Sequence, residues 1–130
     1  MTILDSNIWI ALFHKEDSQH LKAQALMKKL TMPIVLPEYV LLEVCTVLRI
    51  RADQNHVRTF VEVVSDNRDI EILPSTPELL RSTITRLQSL KTTPLSFTDV
   101  ALLLLSKTFM IETFDRHLQT AIKKNKILLT

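Results

Sequence analysis

Apolar positions along this chain follow two spacings, and their alternation predicts strands separated by helices. Short continuous apolar runs favour buried strands, whereas apolar residues three and four positions apart favour the inner face of a helix. Five runs are predicted to be strands: residues 2–4, 33–36, 70–73, 111–114 and 127–129. Strands that alternate with helices indicate an α/β fold. We therefore expect a mainly parallel central sheet of four to five short strands, flanked by about seven helices.

Residues that favour helix ends give the predicted helix boundaries. Thr76, followed by Pro77 and Glu78, predicts a helix that starts at this cap and ends near residue 90. Asp17 or Ser18 is predicted to cap the second helix, which runs to about residue 30. The other predicted helices span residues 8–13, 37–51, 53–64, 97–107 and 115–124. Their predicted inner faces carry Ala23, Leu26, Met27 and Leu30; Val40, Val44, Val47 and Leu48; Val57, Phe60, Val61 and Val64; and Leu80, Ile84 and Leu87.

Composition favours one globular domain in a reducing compartment. The chain has 130 residues, of which 46% are hydrophobic and 23% charged, as in ordinary globular domains. The single cysteine, Cys45, excludes an internal disulfide. The N-terminal segment lacks the basic leader of a signal peptide, and no apolar run is long enough to span a bilayer. We therefore expect a cytoplasmic protein with no membrane contact.

The chain contains no glycine, although average usage would give roughly nine. This absence excludes the glycine-rich loops that cradle phosphates in P-loop and dinucleotide-binding proteins. Phosphate would then have to be held by metal ions or basic side chains. Any left-handed turn position is expected to fall on Asn or Asp, with Asn67 and Asn125 as candidates.

Basic residues are concentrated in the second half of the chain. Residues 1–78 hold 8 Lys or Arg against 11 Asp or Glu, and residues 79–130 hold 8 against 3. A basic region can attract a polyanion such as RNA, and a solvated helix face is the alternative interpretation. The candidate RNA-binding residues are Arg116, Lys123, Lys124 and Lys126.

Three aspartates stand at predicted helix starts. Asp5 and Asp115 each follow a predicted strand directly, and Asp99 lies three residues after Ser96 in a capping-box pattern. Each of them can therefore be an ordinary helix cap. All three starts, however, are expected at the edge formed by the carboxyl ends of the strands, where ligands bind in open α/β sheets.

Glu43 is a fourth acid that can approach this edge. It lies three residues after Val40 and four before Val47, so it borders the buried face of its helix. Its alternative role is a rim position with the carboxylate in water. Four clustered carboxylates repel one another without a cation, and oxygen-only sites suit Mg²⁺ or Mn²⁺. One or two such ions can activate water against a phosphodiester.

The histidines and the tryptophan give no competing site. His14, His20, His56 and His117 are scattered, without the paired spacing of a metal site. We expect His20 to pack in its helix and the others to lie at the surface. Trp9 is expected in the core rather than as a platform for a base.

Four segments together resemble the PIN-domain nucleases, and most of all the VapC-type ribonuclease toxins of toxin–antitoxin pairs. They are Asp-Ser-Asn at 5–7, Leu-Leu-Glu-Val at 41–44, Leu-Ser-Phe-Thr-Asp-Val at 95–100 and Thr-Phe-Asp-Arg-His-Leu at 113–118. They occur in the family's order and span nearly the whole chain. The lack of glycine is the one departure from the family pattern, and it concerns the loops rather than the acids.

The resemblance implies one PIN-like domain over residues 1–130 and a metal-dependent endoribonuclease that uses Mg²⁺ or Mn²⁺. The family's metal-binding and catalytic acids fall on Asp5, Glu43, Asp99 and Asp115. Its supporting polar positions fall on Ser6, Asn7 and Thr113. The resemblance also implies a homodimer and a cognate antitoxin, whose C-terminal segment would place a basic side chain beside the acids.

The composition of the predicted helix 8–13 is relevant to whether a partner protein binds this chain. Ile8, Trp9, Leu12 and Phe13 make it apolar nearly all round, which is more than one core face requires. Part of this helix either lines a partner surface or is covered by later helices.

Other functions remain open at this stage. A catalytically silent RNA- or protein-binding module on the same fold is one, and a stand-alone RNA-processing nuclease is another. A haloacid-dehalogenase phosphatase needs Asp-x-Asp after the first strand, and residue 7 is Asn. A receiver domain needs an acidic pair near the N-terminus and a lysine after a late strand, and neither is evident.

Overall fold

The computed structural model describes the backbone of residues 1–129 and the side chains of residues 1–126. Within that range the strands are β1 (Thr2–Leu4), β2 (Ile34–Pro37), β3 (Ile70–Leu73) and β4 (Met110–Glu112). The helices are α1 (Ser6–Phe13), α2 (His20–Lys29), α3 (Glu38–Arg51), α4 (Gln54–Asp66), α5 (Pro77–Ser89), α6 (Phe97–Leu105) and α7 (Arg116–Leu129). The predicted α/β fold, with four strands and seven helices, is confirmed.

The four strands form one sheet in the order β3-β2-β1-β4, and every pair in it is parallel. β1 is central: Ile3 pairs with Val35 of β2 on one side and with Ile111 of β4 on the other. The chain therefore leaves β1 towards one side of the sheet and returns by β4 on the other side. Such a reversal of strand order opens a crevice at the carboxyl ends of the two strands.

The two inner strands carry the centre of the core. Ile3, Leu4, Ile34 and Leu36 are fully buried, as expected for strands covered by helices on both faces. The outer strands are less enclosed, because each has a neighbour on one side only. Ile72 of β3 is 38% exposed and Met110 of β4 is 57% exposed.

Other helices cover the apolar residues 8–13 of α1. It contacts both α2 and α3, and Ile8 and Trp9 are buried. The Trp9 ring meets Phe60 edge-on at 5.7 Å, and Phe13 meets Phe60 edge-on at 5.2 Å. The coverage interpretation of this helix is therefore the one supported, and Trp9 lies in the core as predicted.

The predicted inner face of α5 is wrong. Leu80 and Ile84 are 42% and 41% exposed, whereas Thr83 is fully buried against the neighbouring α6. Thr83 satisfies its hydroxyl within its own helix by donating to the carbonyl of Leu79 at 2.7 Å. A polar residue can therefore occupy the buried face of a helix. As a result, α5 is rotated by one residue position from the predicted orientation. Val61 of α4 is likewise at the surface, 39% exposed.

Three local predictions are also wrong. Residues 127–129 are helical, because nothing between Lys124 and Ile127 breaks α7. Neither Asp17 nor Ser18 is the cap of α2; the cap is Gln19, whose N–H donates to the Asp17 carboxylate at 2.8 Å. Asn67 and Asn125 do not adopt left-handed conformations, since no described residue has a positive φ. The helices end instead in extended residues or tight turns, which need no glycine.

No helix among the described residues combines the length and the apolar character needed to cross a membrane.

Candidate active site

Asp5 lies at the crevice where β1 ends and α1 begins. Its backbone N–H continues the sheet by donating to the carbonyl of Glu112 at 2.9 Å. Its carbonyl accepts the N–H groups of Ile8 and Trp9, the first turn of α1. Asp5 is thus both the last sheet-bonded residue of this strand and the N-cap of the helix. The side chain is only 3% exposed.

The Asp5 carboxylate is held on both oxygens. Oδ1 accepts the N–H of Ser6 at 2.7 Å. Oδ2 accepts the hydroxyl of Thr113 at 2.7 Å and, more weakly, the amide of Asn7 at 3.4 Å. Hydrogen bonds to both oxygens fix the orientation of this carboxylate.

Asn7 and Thr113 join the ends of β1 and β4. The Asn7 amide nitrogen donates to Thr113 Oγ1 at 3.2 Å, and its carbonyl oxygen accepts the N–H of Phe114 at 3.3 Å. Thr113 Oγ1 also accepts the N–H of Asp115 at 3.0 Å. Thr113 therefore connects Asp115 to Asp5 through one hydroxyl group.

Ser6 connects helix α3 to the site at the ends of β1 and β4. Its hydroxyl donates to Oε1 of Glu43, which is half-buried on α3. Since a hydroxyl has one proton, this bond leaves the longer contact with Asp5 Oδ1, at 3.4 Å, as a secondary one. Ser6 thus stands between the carboxylates of Asp5 and Glu43.

Asp99 and Asp115 each use a carboxylate oxygen to cap a helix, as the alternative interpretation required. Asp99 Oδ2 accepts the N–H of Ser96 at 2.9 Å, which completes a capping box with the Ser96 hydroxyl. Asp115 Oδ1 accepts the N–H groups of His117 and Leu118 at 2.7 and 3.3 Å. In each residue the second oxygen is not engaged in these caps. A capping role therefore leaves one oxygen for another ligand.

Burial raises the pKa of Asp5 from 3.8 to about 6. The hydrogen bonds from Thr113 and Ser6 oppose this rise, and the negative charges of Asp99 and Glu43 add to it. Three of the four predicted acids therefore lie within electrostatic reach of one another. Asp115 is linked to Asp5 through Thr113, and it shares a cavity with Glu43.

This acid cavity, as we call it, has a volume of about 510 Å³. Ser6, Asn7, Glu43 and Asp115 line it together with residues that sequence reasoning did not select: Ile10, Asp17, Ser18, Gln19, Val47, Arg51 and Phe114. Arg51 is the single cation among them. The sequence signal that could have identified Arg51 is its spacing: it follows Glu43 by eight residues, close to two turns of α3.

The four basic residues of α7 stand apart from the acid cavity. Arg116, Lys123, Lys124 and Lys126 are exposed, and none of them lines it. Lys124 borders a smaller cavity of about 260 Å³ with His117 and Leu95. Their predicted contact with RNA stays a prediction.

The donor set suits a hard divalent cation. Asp5 is buried and negatively charged above pH 6, and no described Lys or Arg makes an ion pair with any of the four acids. Carboxylate oxygens without a protein counter-charge are what Mg²⁺ or Mn²⁺ prefers. As the side chains stand, no three acidic, histidine or cysteine side chains of the described part converge into a metal cage. The acids thus suit a divalent cation in chemistry and charge. To coordinate one ion together, their carboxylate groups would have to rotate from the orientations described above.

Replacing Asp5 with Asn should stabilise the metal-free protein above pH 6. The folded pKa of about 6 exceeds the ordinary 3.8, so the folded protein retains a proton that the unfolded chain loses. The contribution of Asp5 to the free energy of unfolding is therefore fully present below pH 4 and is lost as the pH rises through 6, about 3 kcal/mol in all. Urea unfolding in EDTA between pH 4 and 8 should show this fall in the wild type and not in Asp5→Asn. Asp69→Asn, at an exposed aspartate without a side-chain hydrogen bond, should keep the wild-type slope; equal slopes in all three proteins would contradict the assignment.

Comparison with known proteins identifies relatives of the whole chain. A search of curated protein sequences finds no match. Several solved structures share the fold, among them VapC20 and FitAcB. VapC20 from Mycobacterium tuberculosis, a toxin that cleaves the sarcin–ricin loop, is 18% identical over 93% of this chain and 95% of its own, with a TM-score of 0.85. FitAcB from Neisseria gonorrhoeae is 14% identical over 95% of this chain and 94% of that chain, with a TM-score of 0.63.

A family model described as the PIN domain matches residues 2–124. The match covers nearly the whole chain, including all four acids of the site and the strands that position them. The protein therefore belongs to the PIN domain family.

Proposed function

We propose that this protein is a Mg²⁺- or Mn²⁺-dependent endoribonuclease that hydrolyses RNA phosphodiester bonds. The observation that carries the proposal is the buried Asp5 carboxylate, which is oriented on both oxygens and lies near further acids, none of which forms an ion pair with a described Lys or Arg. It lies at the reversal of strand order, where open α/β sheets bind their ligands. Membership of the PIN domain family supports the same conclusion.

Asp5, Glu43, Asp99 and Asp115 would hold the metal. When bound, one or two ions supply the positive charge that activates a water nucleophile and stabilises the leaving oxygen. Thr113 and the Ser6 N–H restrain the orientation of the Asp5 carboxylate. Ser6 likewise restrains Glu43.

Asn7 keeps the two sides of the crevice together. It bonds to both Thr113 and the Phe114 backbone, so it sets the distance between the end of β1 and the Asp115 turn. The proposed role of Asn7 and Thr113 is therefore to position the acids rather than to contact substrate. The exposed α7 residues Arg116, Lys123, Lys124 and Lys126 are the proposed contacts for more distant phosphates of the RNA.

We further propose that the nuclease is the toxin of a type II toxin–antitoxin pair and acts in the cytoplasm, where its RNA is. The likeness to the toxin VapC20 supports this assignment. The proposed antitoxin segment places a basic side chain beside the acids, in the cavity of about 510 Å³. The proposed homodimer has a candidate surface on α5, where Leu80 and Ile84 expose an apolar pair one turn apart.

Cleavage of a mixed RNA should require both metal and the acids. The wild type with Mg²⁺ or Mn²⁺ should produce fragments that are lost in EDTA, and Asp5→Asn and Asp99→Asn should lose at least about 100-fold in rate, since each removes a ligand of the metal. Circular dichroism should show that both variants are folded, and Asp69→Asn should cleave normally. Full activity in EDTA, or in Asp99→Asn, would contradict the metal-dependent mechanism. A folded wild type that binds RNA but cleaves none with metal would favour a silent binding module.

Production of the protein alone should arrest bacterial growth if it is a toxin. Asp5→Asn should relieve the arrest, because the acid is needed for cleavage, whereas Asp69→Asn should not. Colony counts after induction provide the measurement. A harmless wild type that co-purifies with no small partner would rule out the toxin assignment and leave a stand-alone RNA-processing nuclease.

A further inference from the structure

A second cavity adjoins the acid cavity. It has a volume of about 680 Å³ and is formed by the end of α1, the loop after it and the junction of α3 with α4. Arg51 lines both cavities. A ligand in the acid cavity can therefore continue past this one side chain into the larger cavity, which we call the flanking cavity.

Arg51 is suited to hold a phosphate at this boundary. It lies in the last turn of α3, eight residues after Glu43, which places the two backbones about 12 Å apart along the helix. Within the described residues its guanidinium makes no ion pair with a carboxylate, so its charge is available to a ligand. A guanidinium binds phosphate oxygens through two parallel hydrogen bonds.

The interior of the flanking cavity offers flat rings. Phe13 lines it and is fixed from behind by edge-on packing against Phe60 at 5.2 Å. His14 and His56 also line it, with their rings 5.8 Å apart and nearly perpendicular. His56 is held in turn by a 2.7 Å hydrogen bond between its Nδ1 and Asp53. Sequence reasoning assigned His14 and His56 to the surface and gave no sign that they meet.

Polar groups for reading a base edge stand beside these rings. Asn55 lines the cavity from the first turn of α4, and its side-chain amide has no hydrogen-bond partner among the described residues. An amide presents a donor and an acceptor together, which matches the edge of a nucleobase. Two charges of each sign line this cavity, Lys15 and Arg51 against Glu16 and Asp53. It therefore favours a neutral planar group over a further phosphate.

We propose that the flanking cavity is a nucleobase subsite of the RNA-binding groove: Arg51 holds a phosphate next to the cleaved bond, and the attached base enters between Phe13, His14 and His56, where Asn55 contacts its edge. The inference rests on the proposed ribonuclease function and adds to it a determinant of sequence preference. Single-stranded RNA is read in this way elsewhere, by stacking on aromatic or histidine rings and by hydrogen bonds to base edges. The volume of the cavity lies within the usual range for small-ligand sites.

Cleavage of short single-stranded RNAs, randomised around one cleavage position, tests the subsite. Arg51→Ala should lower kcat/KM about 10- to 100-fold, since it removes a charge-assisted contact, and should reduce the salt dependence of RNA binding by about one phosphate. His14→Ala and Asn55→Ala should reduce the preference for one base beside the cleaved bond about 10-fold, as expected for lost stacking or edge contacts. The uncleaved RNA remaining in each mixture, sequenced over time, gives the preference.

Two exposed neighbours provide matched controls. Arg49 lies on the same helix as Arg51, and Gln54 precedes Asn55, and neither lines the two cavities. Arg49→Ala and Gln54→Ala should leave kcat/KM and base preference unchanged. Equal effects of Arg51→Ala and Arg49→Ala, or an unchanged base preference in both His14→Ala and Asn55→Ala, would overturn the subsite.

Two further outcomes distinguish a failure of the nucleobase subsite from a failure of the proposed ribonuclease function. A wild type that binds RNA but cleaves none with metal would contradict the ribonuclease proposal. Base preference would then be measured from RNA binding. If the subsite exists, that preference should still depend on Asn55. Nucleoside monophosphates serve as a second probe. If they bind in an Asn55-dependent manner while RNA preference is unaffected, the cavity is a separate nucleotide site and the RNA subsite is overturned.

Discussion

The carboxylate of Asp5 is the constraint on which the site depends. It is buried, so its charge lacks the solvation of bulk water, and burial raises its pKa to about 6. Hydrogen bonds from Ser6 and Thr113 lower this penalty without removing it. The neighbouring acids make it larger, and no protein cation offsets it. A buried carboxylate without a counter-charge is destabilising unless a cation binds it, which is why we propose a metal site at Asp5 in addition to its role as a helix cap.

The sheet explains how a chain of this size assembles such a site. Because β4 lies beside β1, residues separated by more than a hundred positions in sequence meet at one edge. Thr113 reaches Asp5 directly, and Ser6 meets Glu43 of α3. The short inner strands provide the rigid floor, and the helix starts provide the polar groups. The absence of glycine does not prevent this design, since none of the described turns needs a positive φ.

Each of the four candidate acids has a local signature in the sequence. Asp5 follows a strand, Asp99 completes a capping box and Glu43 borders an apolar stripe, so each was assigned to the sheet edge from its immediate neighbours. Asp115 was predicted to follow its strand directly, but β4 ends at Glu112, two residues earlier than predicted. What depends on the meeting of distant segments was not predictable. The bond between Ser6 and Glu43, the two cavities joined at Arg51, and the pairing of His14 with His56 all arise from tertiary packing.

The fold was predictable to the same extent. The alternation of strands and helices was sufficient for the α/β class, whereas the orientation of α5 was not, because Thr83 can be buried once its hydroxyl bonds to its own helix. The apolar run at residues 127–129 is compatible with either a strand or the end of a helix. Because no helix-breaking residue follows Lys124, the helix continues. Periodicity thus identified most elements, and it failed where a polar residue was buried or where an apolar run fitted two structures.

The central claim is that a divalent cation binds at Asp5, and calorimetric titration with Mn²⁺ at pH 6 tests it most directly. Asp5 is about half protonated at that pH, so binding should release about half a proton per ion, seen as a difference between two buffers of unlike ionisation enthalpy. The release should vanish at pH 8, and Asp5→Asn should neither release a proton nor bind as tightly. Binding without proton release at pH 6, or with equal affinity in Asp5→Asn, would contradict the account.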